Sequence, residues 1–166
     1  MSLTVCFSHG KESGPWGRKI TLLAEICQHR GMAVVSPDYR FTMDPDERVS
    51  HLLEQNLPRD KDLVLVGSSM GGYVAAVASQ ALQPRGLFLM APAVDLPGFA
   101  ADTRPVAEHT WVVHGWRDDI VPPANAIGYA QRHRASLHML DAEHDLNDQL
   151  DALTALFELF LNEAGH

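Results

Sequence analysis

Cysteine is scarce in this chain: among 166 residues there are only Cys6 and Cys27. Two thiols cannot make a disulfide framework. Cys6 falls in the first predicted strand and Cys27 on the apolar face of the first predicted helix, so both read as reduced, buried thiols of a cytoplasmic protein. Cations are short as well, 13 Lys and Arg against 21 Asp and Glu. The resulting formal charge of -8 offers no basic face to a nucleic-acid partner. No apolar run reaches the roughly 18 residues of a membrane span. Met1-Ser2-Leu3-Thr4 lacks a basic n-region and leads straight into a strand, so neither a membrane anchor nor a signal peptide is expected. Neither G-x-x-x-x-G-K-[ST] nor G-x-G-x-x-G occurs in a strand–helix context, which weakens a nucleotide-binding, flavodoxin-like reading. H-E-x-x-H and close Cys/His clusters are missing too, so neither a metal nor any other cofactor is expected. Repeats, low-complexity tracts and linkers are absent. With 46% apolar residues, the chain reads as one domain over residues 1–166 with a core of its own.

What is present is alternation. Short β-rich apolar runs at Leu3–Ser8, Met32–Ser36, Leu63–Gly67, Leu87–Ala91, Thr110–His114 and Ser136–Leu140 predict six strands. Between and after them, helical patterns are expected at Pro15–His29, Pro45–Asn56, Met70–Leu82, Pro123–Arg134 and Leu146–Glu163. Pro92–Glu108 is the longest irregular connection. Strand–helix alternation of this kind predicts an α/β fold, a doubly wound and mainly parallel sheet of about six strands with helices on both faces. Such sheets carry their sites beyond the carboxyl ends of the strands, where neighbouring connections diverge. If the first strand lies beside the third, the loops after Ser8 and Gly67 meet there.

The second of those loops is the most informative stretch. Gly67-Ser68-Ser69-Met70-Gly71 follows the apolar run Leu63-Val64-Leu65-Val66 and precedes a small-residue helix. This G-x-S-x-G pattern in a strand–turn–helix context is a nucleophile elbow, with Ser69 at its centre and Ser68 merely its neighbour. A serine hydroxyl is a weak nucleophile and needs a base, an acid to orient that base, and donors for the oxyanion. The base is assigned to His144, in the loop between the last strand and the last helix. His138 sits in a predicted strand and His29, His51 and His133 on predicted helices, while at His9 and His114, before glycines, bracing a loop is the expected role. For the acid the residues leave Asp118, Asp119 and Asp95 open, with local spacing favouring Asp118. The oxyanion donors are expected to be the backbone N–H groups of Met70, at a helix N-terminus, and Lys11, in the loop after the first strand.

Phe7-Ser8-His9-Gly10, the elbow, His114-Gly115-x-x-Asp118-x-x-Val121-Pro122 and Ala142-Glu143-His144 stand in one chain order. Together they resemble the α/β-hydrolase superfamily, over nearly the whole chain. The nearest resemblance is to small serine hydrolases without a lid, related to dienelactone hydrolase and short-chain carboxylesterases. The resemblance selects Asp118 over Asp119. It implies a minimal α/β-hydrolase fold without a cap domain, and hydrolysis of a small carboxylic ester or thioester through an acyl-serine. The usual first two antiparallel strands are missing, and the connection at Pro92–Glu108 is too short for a lid, so an open pocket is expected. The contrasting reading is a catalytically inactive binding or scaffold protein on the same fold. A small-molecule ester is the expected partner, and an exposed sheet edge leaves room for a homodimer. Trp16 and Trp116 are candidate pocket walls or packing under their own loops. Tyr39 and Arg40 fall beside the same end, where Arg40 meets either an anionic substrate group or solvent.

Overall fold

The protein is described here by a computed structural model covering residues 3–165. Six parallel strands form one sheet in the order β2-β1-β3-β4-β5-β6. They are β1 (Thr4–Ser8), β2 (Ala33–Val35), β3 (Leu63–Ser68), β4 (Gly86–Met90), β5 (His109–Gly115) and β6 (Ser136–Leu140). Five helices connect or follow them: α1 (Arg18–His29), α2 (Pro45–Leu53), α3 (Met70–Leu82), α4 (Pro123–His133) and α5 (Leu150–Ala164). The expected doubly wound α/β sheet is therefore observed.

The central strands are apolar on both faces because both are covered. Val64 and Val66 of β3 join a core layer with Leu23 and Cys27 of α1 and Phe157 and Phe160 of α5. Leu63 and Leu65 point the other way, into a layer with Leu52 of α2, Val74 of α3 and Tyr129 of α4. Cys6 and Cys27 lie in opposite layers, and both are free and buried. Under α5, the Phe88 ring sits 5.1 Å from those of Phe157 and Phe160. Each such side chain contributes roughly 1.5–3 kcal/mol by leaving water.

Several element ends differ from expectation, for local reasons. Helix α1 starts at Arg18, not Pro15, because Gly17 is extended (φ -65°, ψ 173°) at its N-terminus. Helix α4 stops at His133, since Arg134 adopts a left-handed conformation. Helix α5 starts at Leu150 although the apolar spacing runs back to Leu146. Leu146 is left-handed (φ 60°), and the Asp145 carboxylate accepts the Asn147 N–H at 3.0 Å, so a 3-10 turn at Asn147–Gln149 intervenes. Helix α2 begins as the sequence suggests, with Asp44 accepting the Asp46 N–H at 2.8 Å and Pro45 at the first helical position.

Two features position the site. Strands β1 and β3 pair with Ser8 opposite Gly67, so the two loops leave the sheet side by side. The β1 loop leads to α1 on one face and the β3 loop to α3 on the other, which opens the crevice at a topological switch point. The irregular connection 91–108 then runs over α3 and α4 and is fastened to both. Ala101 N–H donates to the Tyr73 hydroxyl (3.0 Å) and Val106 N–H to Ser79 Oγ (3.0 Å). Gln80 Nε2 donates to the Asp102 carbonyl (2.7 Å) and the Tyr129 hydroxyl to that of Thr103 (2.6 Å).

Candidate active site

Ser69 occupies the turn between β3 and α3 with φ 56° and ψ -117°, a conformation L residues avoid. Its backbone is pinned on both sides: its N–H donates to the Met90 carbonyl (2.9 Å), and its carbonyl accepts from Gly72 (2.9 Å) and Ala93 (2.9 Å). The two elbow glycines are required by close approach. A Cβ at Gly67 would collide with the Gly71 carbonyl, and one at Gly71 with the Ser8 carbonyl. The elbow thus packs directly against the end of β1.

The structure brings Ser69, His144 and Asp118 together. Ser69 Oγ lies 2.8 Å from His144 Nε2, and His144 Nδ1 lies 2.7 Å from Asp118 Oδ2. A neutral imidazole has one donor and one acceptor nitrogen. Nδ1–H donates to the carboxylate, so Nε2 is left to accept from the serine. The Asp118 side chain is fully buried, and both of its oxygens accept hydrogen bonds. Its Oδ1 accepts the N–H groups of Ile120 (2.9 Å) and Val121 (2.8 Å). Asp119 is exposed. Asp95 points away to Arg132 of α4 at 2.6 Å, which removes it as the orienting acid.

A cavity of about 540 Å³ opens beside Ser69. Met70, Leu96, Phe99, Ile120 and Val121 form its apolar side, and Lys11 and His144 lie on its rim. Lys11 and Met70 both line this cavity, and neither backbone N–H donates to a protein acceptor among the described residues. A hollow of about 390 Å³ between Lys61, Arg85 and Glu108 lies at the opposite, amino ends of the strands and holds none of these groups.

The two histidines before glycines are braces. His9 is fully buried; its Nδ1–H donates to the Gly10 carbonyl (2.8 Å) and its Nε2 accepts the Tyr39 N–H (2.9 Å). His114, also buried, shares its Nε2–H between the Val121 carbonyl (3.0 Å) and Asp118 Oδ2 (3.2 Å). Its Nδ1 has no partner among the described residues. Burial pulls both imidazoles below the ordinary 6.5.

At Trp16, Trp116 and Arg40 the sequence leaves two roles open, and their exposure excludes the pocket-lining one. Trp16 and Trp116 are each more than half exposed and do not line the cavity at Ser69. Arg40 does not line it either; it forms an exposed pair with Asp38 at 2.7 Å. Tyr39 is wholly buried, with its hydroxyl 2.9 Å from Ser8 Oγ. Among the described residues, no group of three or more His, Cys, Asp or Glu side chains is placed to hold a metal ion. No described helix is long and apolar enough to cross a membrane. One residue of consequence, Arg48, escaped the sequence reading altogether. It stands on α2 among polar neighbours, and its sequence context resembles that of any solvated helical arginine.

A six-stranded parallel sheet, a strained serine at a strand–helix elbow and a hydrogen-bonded Ser–His–Asp chain define the hydrolase class to which the comparisons also point. The profile of the alpha/beta hydrolase family matches residues 6–164, and the chain belongs to that family. A solved alpha/beta-superfamily protein from Xanthomonas campestris pv. campestris, provisionally assigned to the hydrolases, is 32% identical over 98% of this chain and 99% of its own, with a TM-score of 0.86. Two more distant structures share the fold. The ydeN gene product of B. subtilis is 20% identical (TM-score 0.76, 95% of this chain and 100% of that one). An alpha/beta serine hydrolase without lid from Xanthomonas campestris is 19% identical (TM-score 0.68, 96% and 81%). Among curated proteins no match is found. Family and neighbours together support hydrolase activity in general.

Proposed function

We propose that this protein is a serine hydrolase that cleaves small carboxylic esters or thioesters through an acyl-serine intermediate. The observation that carries the reading is the unbroken chain from Ser69 Oγ through His144 to Asp118, at 2.8 and 2.7 Å. Ser69 Oγ attacks the ester carbonyl carbon while His144 Nε2 takes the hydroxyl proton. Asp118 holds the imidazole in the required tautomer and stabilises the imidazolium that forms. The N–H groups of Met70 and Lys11 receive the oxyanion of the tetrahedral intermediate; losing one such donor costs about 2.7–4 kcal/mol of transition-state stabilisation. Collapse of the intermediate breaks the bond to the alcohol or thiol, which leaves with the proton from His144. Water then attacks the acyl-serine with His144 again as base, and the carboxylic acid departs.

The cavity of about 540 Å³ with its apolar side supports a small acyl group near Met70, Leu96 and Phe99. The two buried free thiols fit a reducing compartment such as the cytoplasm. The test is labelling with a fluorophosphonate together with turnover of p-nitrophenyl acetate and a matching thioester. Wild-type protein is expected to carry the label on Ser69 and to turn over the ester, and Ser69→Ala to fall to the background rate. Folded wild-type protein that neither labels nor turns over the ester or the thioester would overturn the reading in favour of a binding protein on the same fold.

A further inference from the structure

Among the described residues Arg48 is the largest fully buried side chain, and no carboxylate pairs with it. Burying an unpaired guanidinium is costly unless its donors are satisfied. Here backbone carbonyls do that. Nε donates to Thr42 O (2.9 Å), Nη1 to Gly10 O (3.1 Å) and more loosely to His9 O (3.5 Å), and Nη2 to Lys11 O (3.3 Å). Its remaining contacts are Met43 Sδ at 3.7 Å and the Tyr39 ring, 5.7 Å from centroid to the guanidinium carbon. One cation therefore gathers three consecutive carbonyls of the loop after β1.

Peptide geometry gives this a consequence for chemistry. In a trans peptide the C=O of one residue and the N–H of the next point in opposite directions within one plane. The Gly10 carbonyl accepts from Arg48 Nη1 (3.1 Å) and His9 Nδ1–H (2.8 Å) and, within its own turn, from Ser13 N–H (3.4 Å) and Oγ (3.3 Å), so the N–H of Lys11, a residue that lines the cavity, points away from the buried guanidinium. The same loop abuts the nucleophile: a Cβ built at Gly10 would lie 3.7 Å from Ser69 Cβ. A positive charge on the carbonyl oxygen also polarises the amide and makes its N–H a stronger donor.

We propose that Arg48 is a positioning residue for the oxyanion site: it clamps the Gly10–Lys11 peptide so that the Lys11 N–H faces the developing charge at Ser69. This rests on the serine-hydrolase reading above and adds to it a residue from α2, outside the hydrogen-bonded triad and the elbow. Because the clamp acts on the transition state, its loss is expected in kcat and not in KM.

The test compares wild type, Arg48→Met and Arg48→Lys with p-nitrophenyl acetate and with a trifluoromethyl ketone, whose serine hemiketal carries the same oxyanion. Arg48→Met is expected to lose about 10- to 1,000-fold in kcat, with the roughly 100- to 1,000-fold of a whole oxyanion donor as its upper range. Its KM is expected to stay within about threefold, and its inhibition constant for the ketone to rise in parallel with the loss in kcat/KM. Arg48→Lys, which keeps the charge but fewer donors, is expected to lie between. If Arg48→Met does not fold by circular dichroism, Arg48→Lys decides by the same criteria. A folded variant with kcat within threefold of wild type, or one whose kcat falls while ketone affinity stays unchanged, would overturn the proposal. Wild-type turnover and Ser69 labelling are measured alongside. If they hold while the Arg48 variants behave as wild type, only this inference fails; if they are absent, the hydrolase reading itself fails.

Discussion

Replacing Asp118 by Asn tests the relay at its least replaceable point. The change is nearly isosteric, and the structure dictates how the new amide sits. Two backbone N–H groups, from Ile120 at 2.9 Å and Val121 at 2.8 Å, point at Oδ1 and demand an acceptor there. The amide oxygen must take that place, which turns its NH2 group toward His144 Nδ1, now at 2.7 Å from Oδ2. An NH2 group cannot accept, so His144 moves its proton to Nε2 and can no longer receive one from Ser69. The wrong tautomer in a triad of this kind costs about 10⁴-fold in kcat, equivalent to roughly 5.5 kcal/mol of barrier. Stability is expected to fall by about 1–3 kcal/mol, because the loop bonds to Oδ1 survive while the His114 Nε2–H loses Oδ2 and keeps only the Val121 carbonyl. Steady-state turnover of p-nitrophenyl acetate, beside a urea melt of the same preparation, measures both. A folded Asp118→Asn protein within tenfold of wild-type kcat would refute the tautomer argument.

Three further outcomes are expected. Gly71→Ala drives a Cβ into the Ser8 carbonyl and within 2.8 Å of the His9 carbonyl, both backbone atoms that cannot step aside. It is expected to cost at least the upper end of the ~1–3 kcal/mol typical of overpacking, read as a lower urea midpoint; an unchanged midpoint contradicts the close packing of elbow on β1. Burial holds His9 and His114 below the ordinary 6.5, and His133 and His138 likewise. Below that value the unfolded chain binds more protons than the folded one, so stability is fully present above it and declines as pH falls toward about 5. A Tm that is flat from pH 7 to 5 at fixed ionic strength argues against neutral buried imidazoles. Finally, burial pushes the Cys6 and Cys27 thiols up to about 12, so a disulfide reagent at pH 8 is expected to modify neither in native protein and both in urea; rapid native labelling would contradict their placement.

Much of this molecule is legible in its residues, because the informative features are local. The elbow is written in five consecutive letters, and the doubly apolar strands in short Val- and Leu-rich runs. The order of Ser69, Asp118 and His144 follows from loops that each succeed a strand. What escaped the sequence reading depends on distant partners. Arg48 looks solvated until residues 39–44 and the loop after β1 close over it. At Trp16 and Trp116 the sequence leaves pocket wall and loop packing equally open, and nothing nearby in the chain reveals that both rings end more than half exposed. The beginning of α5 was misread because apolar spacing persists through Leu146, while the backbone there is left-handed and governed by the Asp145 turn.

The fastening of residues 91–108 to α3 and α4 bears on how such an enzyme would evolve or be redesigned. That segment supplies Leu96 and Phe99 to the cavity, and Ala93 N–H within it holds the Ser69 carbonyl at 2.9 Å. The contour of the cavity is consequently set in advance, by side chains on a stapled strap. Exchanging the residues at 96 and 99 retunes which groups fit while Ser69 keeps its posture. Grafting a longer strap in their place would instead pull on the turn that presents the serine, so new selectivity is more readily gained by carving than by extension.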